Sequence, residues 1–424
     1  MKKVTVIGLG YVGLPLACLC AEKGFEVSGI DLDKRIAEAV NKGKSHIKDA
    51  ALEQKLASLK GKIAASVEPR SLKEADTIVV CVPTPAIGSK PDLAPLKKAC
   101  ETISKSLSKG QLVIIESTVY PGTIEEIVKP ILEKSRLKAG EDFFLGHCPE
   151  RIDPGNTKFT LENIPRVLSC LSETGKEKAK AFYEAIVEAD ILVLENVKDA
   201  EAVKVMENSF RDINIAFVNE LAKSFDKMGI DIGEVIRGAS TKPFGFMPFY
   251  PGPGVGGHCI AQDPYYLIAR AKKAGFRHRF LSLAREINES MPSYTVSLVE
   301  QALEKIGKKT HNSKVAVLGL SYKPNVDDTR KSPSLEIATA LEKKGAVVKT
   351  FDPWVKSKSN CPSLAEAVKG VDAVILATHH SDFVKELTPE FLVKQGVKAI
   401  IDARNVLDKK GIKEKGLVFK GIGK

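Results

Sequence analysis

Tryptophan occurs once in 424 residues and all aromatics together reach 6%, so the chain has few of the stacking platforms on which nucleic acids are bound. Its eight cysteines contain no C-x-x-C pair. The one close pair, Cys18 and Cys20, lies two apart on a predicted helix, where the side chains diverge and serve as core filler. Neither a metal site nor a disulfide framework is expected. No apolar run reaches the roughly 18–20 residues that a membrane span requires, and no signal peptide is recognisable. These absences predict a reduced, cytoplasmic protein with no membrane partner.

Blocks of one charge are missing too. The formal charge is +11, but the lysines are scattered and no basic block alternates with aromatics, which describes a solvated surface and not a nucleic-acid footprint. A phosphorylated small molecule remains compatible. What the chain does have is 43% hydrophobic and 28% charged residues, the balance of a globular protein. Its length calls for two or three domains.

The opening KVTVIGLGYVGLPLACLCAEKGFEVSGIDLD is a β-branched run, a glycine turn, a helical stretch and a second apolar run ending in acid, a βαβ unit. TIVVCVP and QLVIIESTV continue the strand series. From about residue 200, Val203, Met206, Phe210, Ile213, Phe217, Leu221 and Phe225 recur three or four apart without an interrupting Pro or Gly, which predicts one long amphipathic helix. KVAVLGLSYKPNVDDTRKSPSLEIATALEKKGAVVKTFDP then repeats the opening arrangement. The fold class expected is α/β, with two Rossmann-like doubly wound domains joined by a helical middle with one long central helix. The boundaries expected are 1–197, 198–306 and 307–424.

GLGYVG places Gly8, Gly10 and Gly13 between a strand and a helix, with Asp31 ending the next strand. Absent side chains let backbone N–H groups and a helix N-terminus approach a pyrophosphate. An acid at that distance accepts from ribose hydroxyls and repels a further phosphate. NAD is therefore the expected cofactor, although nearby Arg35 could serve a phosphate. The second turn, GLSYKPNVDD, lacks the third glycine and suits another phosphorylated ligand or a simple glycine-capped turn.

GPGVGGHCIAQDP, from Gly252, holds four glycines in six residues before Cys259. A lone thiol is ordinarily a small buried hydrophobe. So many glycines cost backbone entropy, which makes sense where a ligand or another backbone comes close. A helix following the loop would favour thiolate. Lys204 and Asn208, four apart on the long helix, share a face and can reach one ligand.

GLGYVGLPLA, CVPTP, ESTVYPGT, CPER, ENSFRDINIAFVNE, PGPGVGGHCIAQDPYYL and LSYKPNVDDTRKSPS, in that order, resemble the UDP-glucose/GDP-mannose dehydrogenase family across nearly the whole chain. The resemblance implies two hydride transfers to NAD, carrying a sugar C6 alcohol through an aldehyde to a carboxylate, with Cys259 holding the carbon as thiohemiacetal and then thioester. It implies that Lys204 and Asn208 stabilise the oxyanion at C6, and that Glu150 is the base for the hydrolytic water, with Thr118 and Asp263 ordering that water. Which group takes the first proton stays open. Gly8, Gly10, Val12, Gly13, Asp31, Arg35, Thr84, Thr118 and Arg330 would contact NAD. Lys323 of the second α/β domain, with Arg237, Phe249, Tyr250, Gly252 and His258, would join Glu150, Arg151, Lys204 and Asn208 around the UDP-sugar.

CPER, and CIAQDP with His258 before the thiol, resemble the UDP-N-acetylhexosamine branch more than the glucose branch, which carries a lysine just before the aspartate. The C2 configuration, mannosamine or glucosamine, stays open. A homodimer through the apolar face of the long helix is expected. The rival readings are a UDP-glucose 6-dehydrogenase, a single-step hydroxyacid dehydrogenase that needs no thiol, and a non-catalytic nucleotide-sugar binding protein.

Overall fold

The apolar runs form the strands expected of them. In chain order these are β1 (Lys3–Ile7), β2 (Glu26–Ile30), β3 (Ile63–Ser66), β4 (Thr77–Val80), a short hairpin of β5 (Ala86–Ile87) and β6 (Lys90–Pro91), β7 (Leu112–Ile115), β8 (Phe144–His147), β9 (Arg166–Cys170) and β10 (Ile191–Val193). The computed structural model describes residues 2–88, 90–152, 156, 158–257 and 259–424. The chain divides into two compact units, Met1–Glu207 with Gln262–Arg277, and Asn208–Ala261 with His278–Lys424.

In the first unit eight strands run in the order β10-β9-β8-β7-β4-β1-β2-β3. β1 pairs in parallel with β2 (Lys3↔Glu26 to Ile7↔Ile30) and with β4 (Val4↔Thr77). Every residue of β4, β7 and β8 is buried, as befits strands covered on both faces. Strand order reverses between β1 and β4, the switch point at whose C-terminal edge open α/β sheets bind ligands. One departure from an all-parallel sheet is β9, which runs antiparallel to β8 with Gly146↔Cys170 and His147↔Ser169. No helix is described between β8 and β9, and without a crossover helix the chain returns beside its predecessor.

The second unit carries β11 (Lys314–Leu318), β12 (Val347–Phe351), β13 (Ala373–Leu376), β14 (Ala399–Asp402) and β15 (Val418–Gly421). All are parallel, in the order β12-β11-β13-β14-β15. The helix Arg279–Lys305 packs Met291, Val296, Val299 and Leu303 into the core with Val315, Val317 and Ile375.

The long helix spans Val197–Met228. Its stripe of Glu201, Lys204, Asn208, Asp212 and Asn219 is buried, whereas Met206, Phe210 and Phe217 are exposed. The apolar spacing thus marked the helix, and the face bearing Met206, Phe210 and Phe217 is left open by the chain itself. The covered face mixes these polar groups with Val205, Ala216, Val218 and Ala222, and its polar groups find internal partners, as described next.

Candidate active site

The first unit carries several of its candidate side chains just past the C-terminal ends of the parallel strands. Gly8 (φ 88°) directly follows β1, and a Cβ on Gly13 would lie 1.8 Å from the Gly8 carbonyl oxygen, so no side chain fits there. The helix Gly13–Glu22 starts at that point, with Val12 as its N-cap residue. Half-buried Asp31, at the tip of β2, accepts from the N–H of Leu9 and of Asp33, both at 2.9 Å. That fixes its carboxylate beside the glycine turn. Arg35 is exposed and grips Asp33 with two bonds of 3.0 and 2.7 Å.

Thr84 is buried beyond β4, and its carbonyl accepts from the Tyr266 hydroxyl. Thr118, half-buried, follows β7. Beyond β8, Glu150 Oε2 lies 3.2 Å from Lys204 Nζ, and both side chains are almost entirely shielded from solvent. Arg151 pairs with Glu207 at 2.6 Å. Asp263 is buried as the first residue of the helix Asp263–Lys273.

The second unit holds Asn208, Arg237, Phe249, Tyr250, Gly252, Cys259, Lys323 and Arg330. Its glycine-rich loop is pressed against the segment 322–333. A Cβ on Gly256 would lie 2.7 Å from the Lys331 carbonyl oxygen, and one on Gly257 (φ 83°) would lie 2.8 Å from the Tyr322 ring. The Gly257 N–H donates to the Arg330 carbonyl at 2.9 Å. The glycines are thus explained by close backbone approach. Cys259 alone among the eight cysteines is exposed. Arg330, itself ion-paired with Asp328 at 2.5 Å, interacts electrostatically with it. By contrast, burial pushes the thiols of Cys18, Cys100 and Cys170 up to about 12.

Asn208 is buried on the long helix and Lys323 is half-buried beside Tyr322. The Phe249 ring stands 5.9 Å from that of Phe210. Arg237 and Tyr250 are exposed, and Arg237 is ion-paired with Glu234. His258 lies outside the described residues.

Arg404 escaped the sequence reading. Its Nε donates to the Ala377 carbonyl at 2.7 Å, and a Cβ on Gly252 would come within 2.8 Å of its Nη1. Burial, only partly offset by Asp402, holds the guanidinium down to about 10. The available signal was its place just past β14, at the ligand-binding edge of the second sheet. Asp352, the counterpart of Asp31 at the tip of β12, is fully buried. It accepts from Leu320, Ser321, Trp354 and Val355 N–H groups and lies 3.0 Å from His380 Nε2. So enclosed, it offers no acceptor to a ribose. Among the described residues no cluster of three His, Cys, Asp or Glu could hold a metal ion, and no helix is long and apolar enough to cross a membrane.

Comparison with known proteins agrees with this geometry. Residues 2–187 match the NAD binding domain of the UDP-glucose/GDP-mannose dehydrogenase family, 198–290 its central domain and 316–409 its UDP binding domain. The chain is 37% identical to a UDP-N-acetyl-D-mannosamine dehydrogenase of Pyrococcus horikoshii, covering 100% of this chain and 99% of the relative. It is 40% identical to a UDP-N-acetyl-D-glucosamine 6-dehydrogenase of Pseudomonas aeruginosa, covering 96% and 97%. The solved structure of the UDP-D-ManNAc dehydrogenase from Pyrococcus horikoshii superposes with a TM-score of 0.93 at 37% identity, covering 100% and 99%. The glycine cradle, the fixed acid beside it and these full-length likenesses together place the chain in the UDP-glucose/GDP-mannose dehydrogenase family, as an NAD-dependent nucleotide-sugar dehydrogenase.

Proposed function

We propose that the protein oxidises the C6 alcohol of a UDP-N-acetylhexosamine, with UDP-N-acetyl-D-mannosamine the first candidate and UDP-N-acetyl-D-glucosamine the second, to the corresponding uronate. The observation that carries this reading is the exposed Cys259 on a loop pinned to 322–333, interacting electrostatically with Arg330. Support for the sugar comes from the names of the full-length relatives.

The cradle of Gly8, Gly10, Val12 and Gly13, with Asp31 fixed beside it, fits NAD. Arg35, Thr84, Thr118 and Arg330 are its further proposed contacts. When bound, NAD supplies the acceptor for one hydride in each of two rounds. In the first round a proton leaves the C6 hydroxyl and an aldehyde results. The Cys259 thiolate then forms a bond to that carbon, giving a thiohemiacetal whose oxygen carries the developing charge. Lys204 and Asn208 donate to this oxygen. After the second oxidation the carbon is a thioester. Glu150 takes a proton from water ordered by Thr118 and Asp263, the C–S bond breaks and the thiolate is restored. Arg151, Arg237, Phe249, Tyr250, Gly252, His258 and Lys323 bind the sugar nucleotide, and half-buried Arg404 backs Gly252.

Eight cysteines without a disulfide suit a reducing compartment, and we place the protein in the cytoplasm. Met206, Phe210 and Phe217, exposed on the long helix, support a homodimer through that face. The enzyme supplied with NAD and, in turn, UDP-N-acetylmannosamine, UDP-N-acetylglucosamine and UDP-glucose should release two NADH per uronate from an N-acetylated sugar. Turnover of UDP-glucose alone would move the assignment to the glucose enzyme. Tight binding with no NADH from any of the three would make it a binding protein.

A further inference from the structure

Behind Glu150 the first unit buries a group of charges that the chemistry above leaves without a task. Glu116 directly follows β7 and Arg166 opens β9, and each is 1% exposed. Arg166 Nη1 stands 3.9 Å from Glu116 Oε1, an oxygen that also accepts from the Tyr183 hydroxyl at 2.6 Å. The guanidinium carbon lies 5.5 Å from the centre of the Tyr183 ring. Among the described residues, Arg166 Nε and Nη2 have no hydrogen-bond partner. A buried arginine with two unsatisfied donors costs stability, and such a residue calls for an explanation.

Register supplies the link to the site. β8 and β9 are antiparallel with Gly146↔Cys170 and His147↔Ser169, so each step forward on one strand is a step back on the other. β8 ends at His147, and the same register continued three residues beyond it would set Glu150 opposite Arg166. The two segments stay within one side chain's reach there, since Arg151 Nη1 donates to the Pro165 carbonyl at 2.9 Å. The charges of Arg166 and Glu116 both act on Glu150.

The other titratable groups packed here carry no charge at neutral pH. Burial pushes the Cys148 thiol up to about 12 and raises those of Cys20 and Cys81 as well. It raises the Tyr183 phenol and holds His147 down to about 3. The Glu116 carboxyl is raised by burial and drawn back by Arg166 and Tyr183. Among the described residues, what remains inside is two carboxyls, Glu116 and Glu150, facing two cations, Arg166 and Lys204. The pair Arg151–Glu207 lies at the rim.

We propose that Arg166, held in place by Glu116 and Tyr183, is a positioning residue for Glu150 and supplies its permanent counter-charge. Lys204 has two claims on it, the Glu150 carboxylate at 3.2 Å and the oxyanion of the substrate. When the oxyanion forms and draws the ammonium, a guanidinium that cannot lose its proton keeps Glu150 a carboxylate able to accept one from water. Glu116 carries the opposite charge beside Arg166, so removing one or the other changes the field at Glu150 in opposite senses.

This inference rests on the proposed role of Glu150 as the hydrolytic base, and the experiment separates the two. Chemical-quench measurement of uronate formation against pH is made with the full-length enzyme, NAD and whichever of the three UDP-sugars it oxidises. Glu150→Gln should abolish the acid limb of the profile. Arg166→Gln should move that limb to higher pH by about one unit, Arg166→Lys should return it towards the wild type, and Glu116→Gln should move it to lower pH. If Arg166→Gln does not fold, Glu116→Gln, which keeps the side-chain shape, carries the test. Loss of the limb in Glu150→Gln, with no shift or a shift of one sign in both other Gln variants, overturns the inference and leaves the base standing. An intact limb in Glu150→Gln takes both down.

Discussion

Asn219 offers a sharp test of how the cysteine loop is held. Its side chain is fully buried, donating to Asn288 Oδ1 and accepting from the Gly252 N–H, both at 2.9 Å. Asn288 in turn donates to Asp212 Oδ1 at 2.8 Å, and Asp212 is ion-paired with Arg285 at 2.7 Å. This chain of polar groups ties the long helix and the helix Arg279–Lys305 to the first residue of the glycine-rich loop. Asn219→Ala leaves a buried N–H at Gly252 and a buried carbonyl at Asn288 unpaired. At about 1–3 kcal/mol for each, the second unit should lose roughly 2–6 kcal/mol, a large share of an ordinary domain's roughly 5–15 kcal/mol. Turnover should fall as well, since a shift of about 1 Å in a reacting group can cost roughly 10²-fold. Trp354, the single tryptophan, lies in the second unit, so its fluorescence in a denaturant titration reports the unfolding of that unit. A wild-type midpoint together with wild-type turnover would refute the reasoning.

Gly257→Ala forces a side chain into φ 83° with its Cβ 2.8 Å from the Tyr322 ring, and acid formation should fall at least tenfold, about 1.4 kcal/mol; unchanged turnover would contradict the loop packing. Gly10→Ala meets nothing within 4 Å in the protein itself, so its melting temperature should match the wild type while KM for NAD rises about tenfold or more, because the open space is where a pyrophosphate would lie. Burial acts to raise the Asp352 carboxyl, but His380 and the backbone donors more than offset it, so its folded value lies below the ordinary 3.8. Its contribution is therefore fully present above about 3.8 and lost as pH falls through the lower folded value. Asp352→Asn should be less stable than the wild type at neutral pH by Trp354 fluorescence, and the gap should close in acid. A gap independent of pH would show that the charge is not what matters.

The two sheets were legible because β-branched runs, glycine turns and terminal acids recur at regular distances, a local signal. Reversal of β9 was not, since it depends on a connection without a crossover helix. For the long helix, the apolar period marked its extent, with Leu221 and Phe225 packed on the core and Met206, Phe210 and Phe217 exposed, but gave no sign of the polar groups that are buried beside Val205, Ala216, Val218 and Ala222. Their burial depends on partners such as Arg285, Asn288 and Gly252, distant in sequence. The same limit hid Arg404 and the cluster of Glu116 and Arg166, whose meaning lies in what they face. The four glycines before Cys259 were legible as a close approach, and the packing of Gly256 and Gly257 on Lys331 and Tyr322 accounts for them.

The central claim is that Cys259 bonds to the sugar carbon between the two oxidations. Rapid quenching of the enzyme during turnover with NAD and the UDP-sugar, followed by peptide mass analysis, should find the Cys259 peptide heavier by the UDP-sugar acyl group. Cys259→Ala should show neither adduct nor uronate. Uronate formation by Cys259→Ala at the wild-type rate would contradict the account.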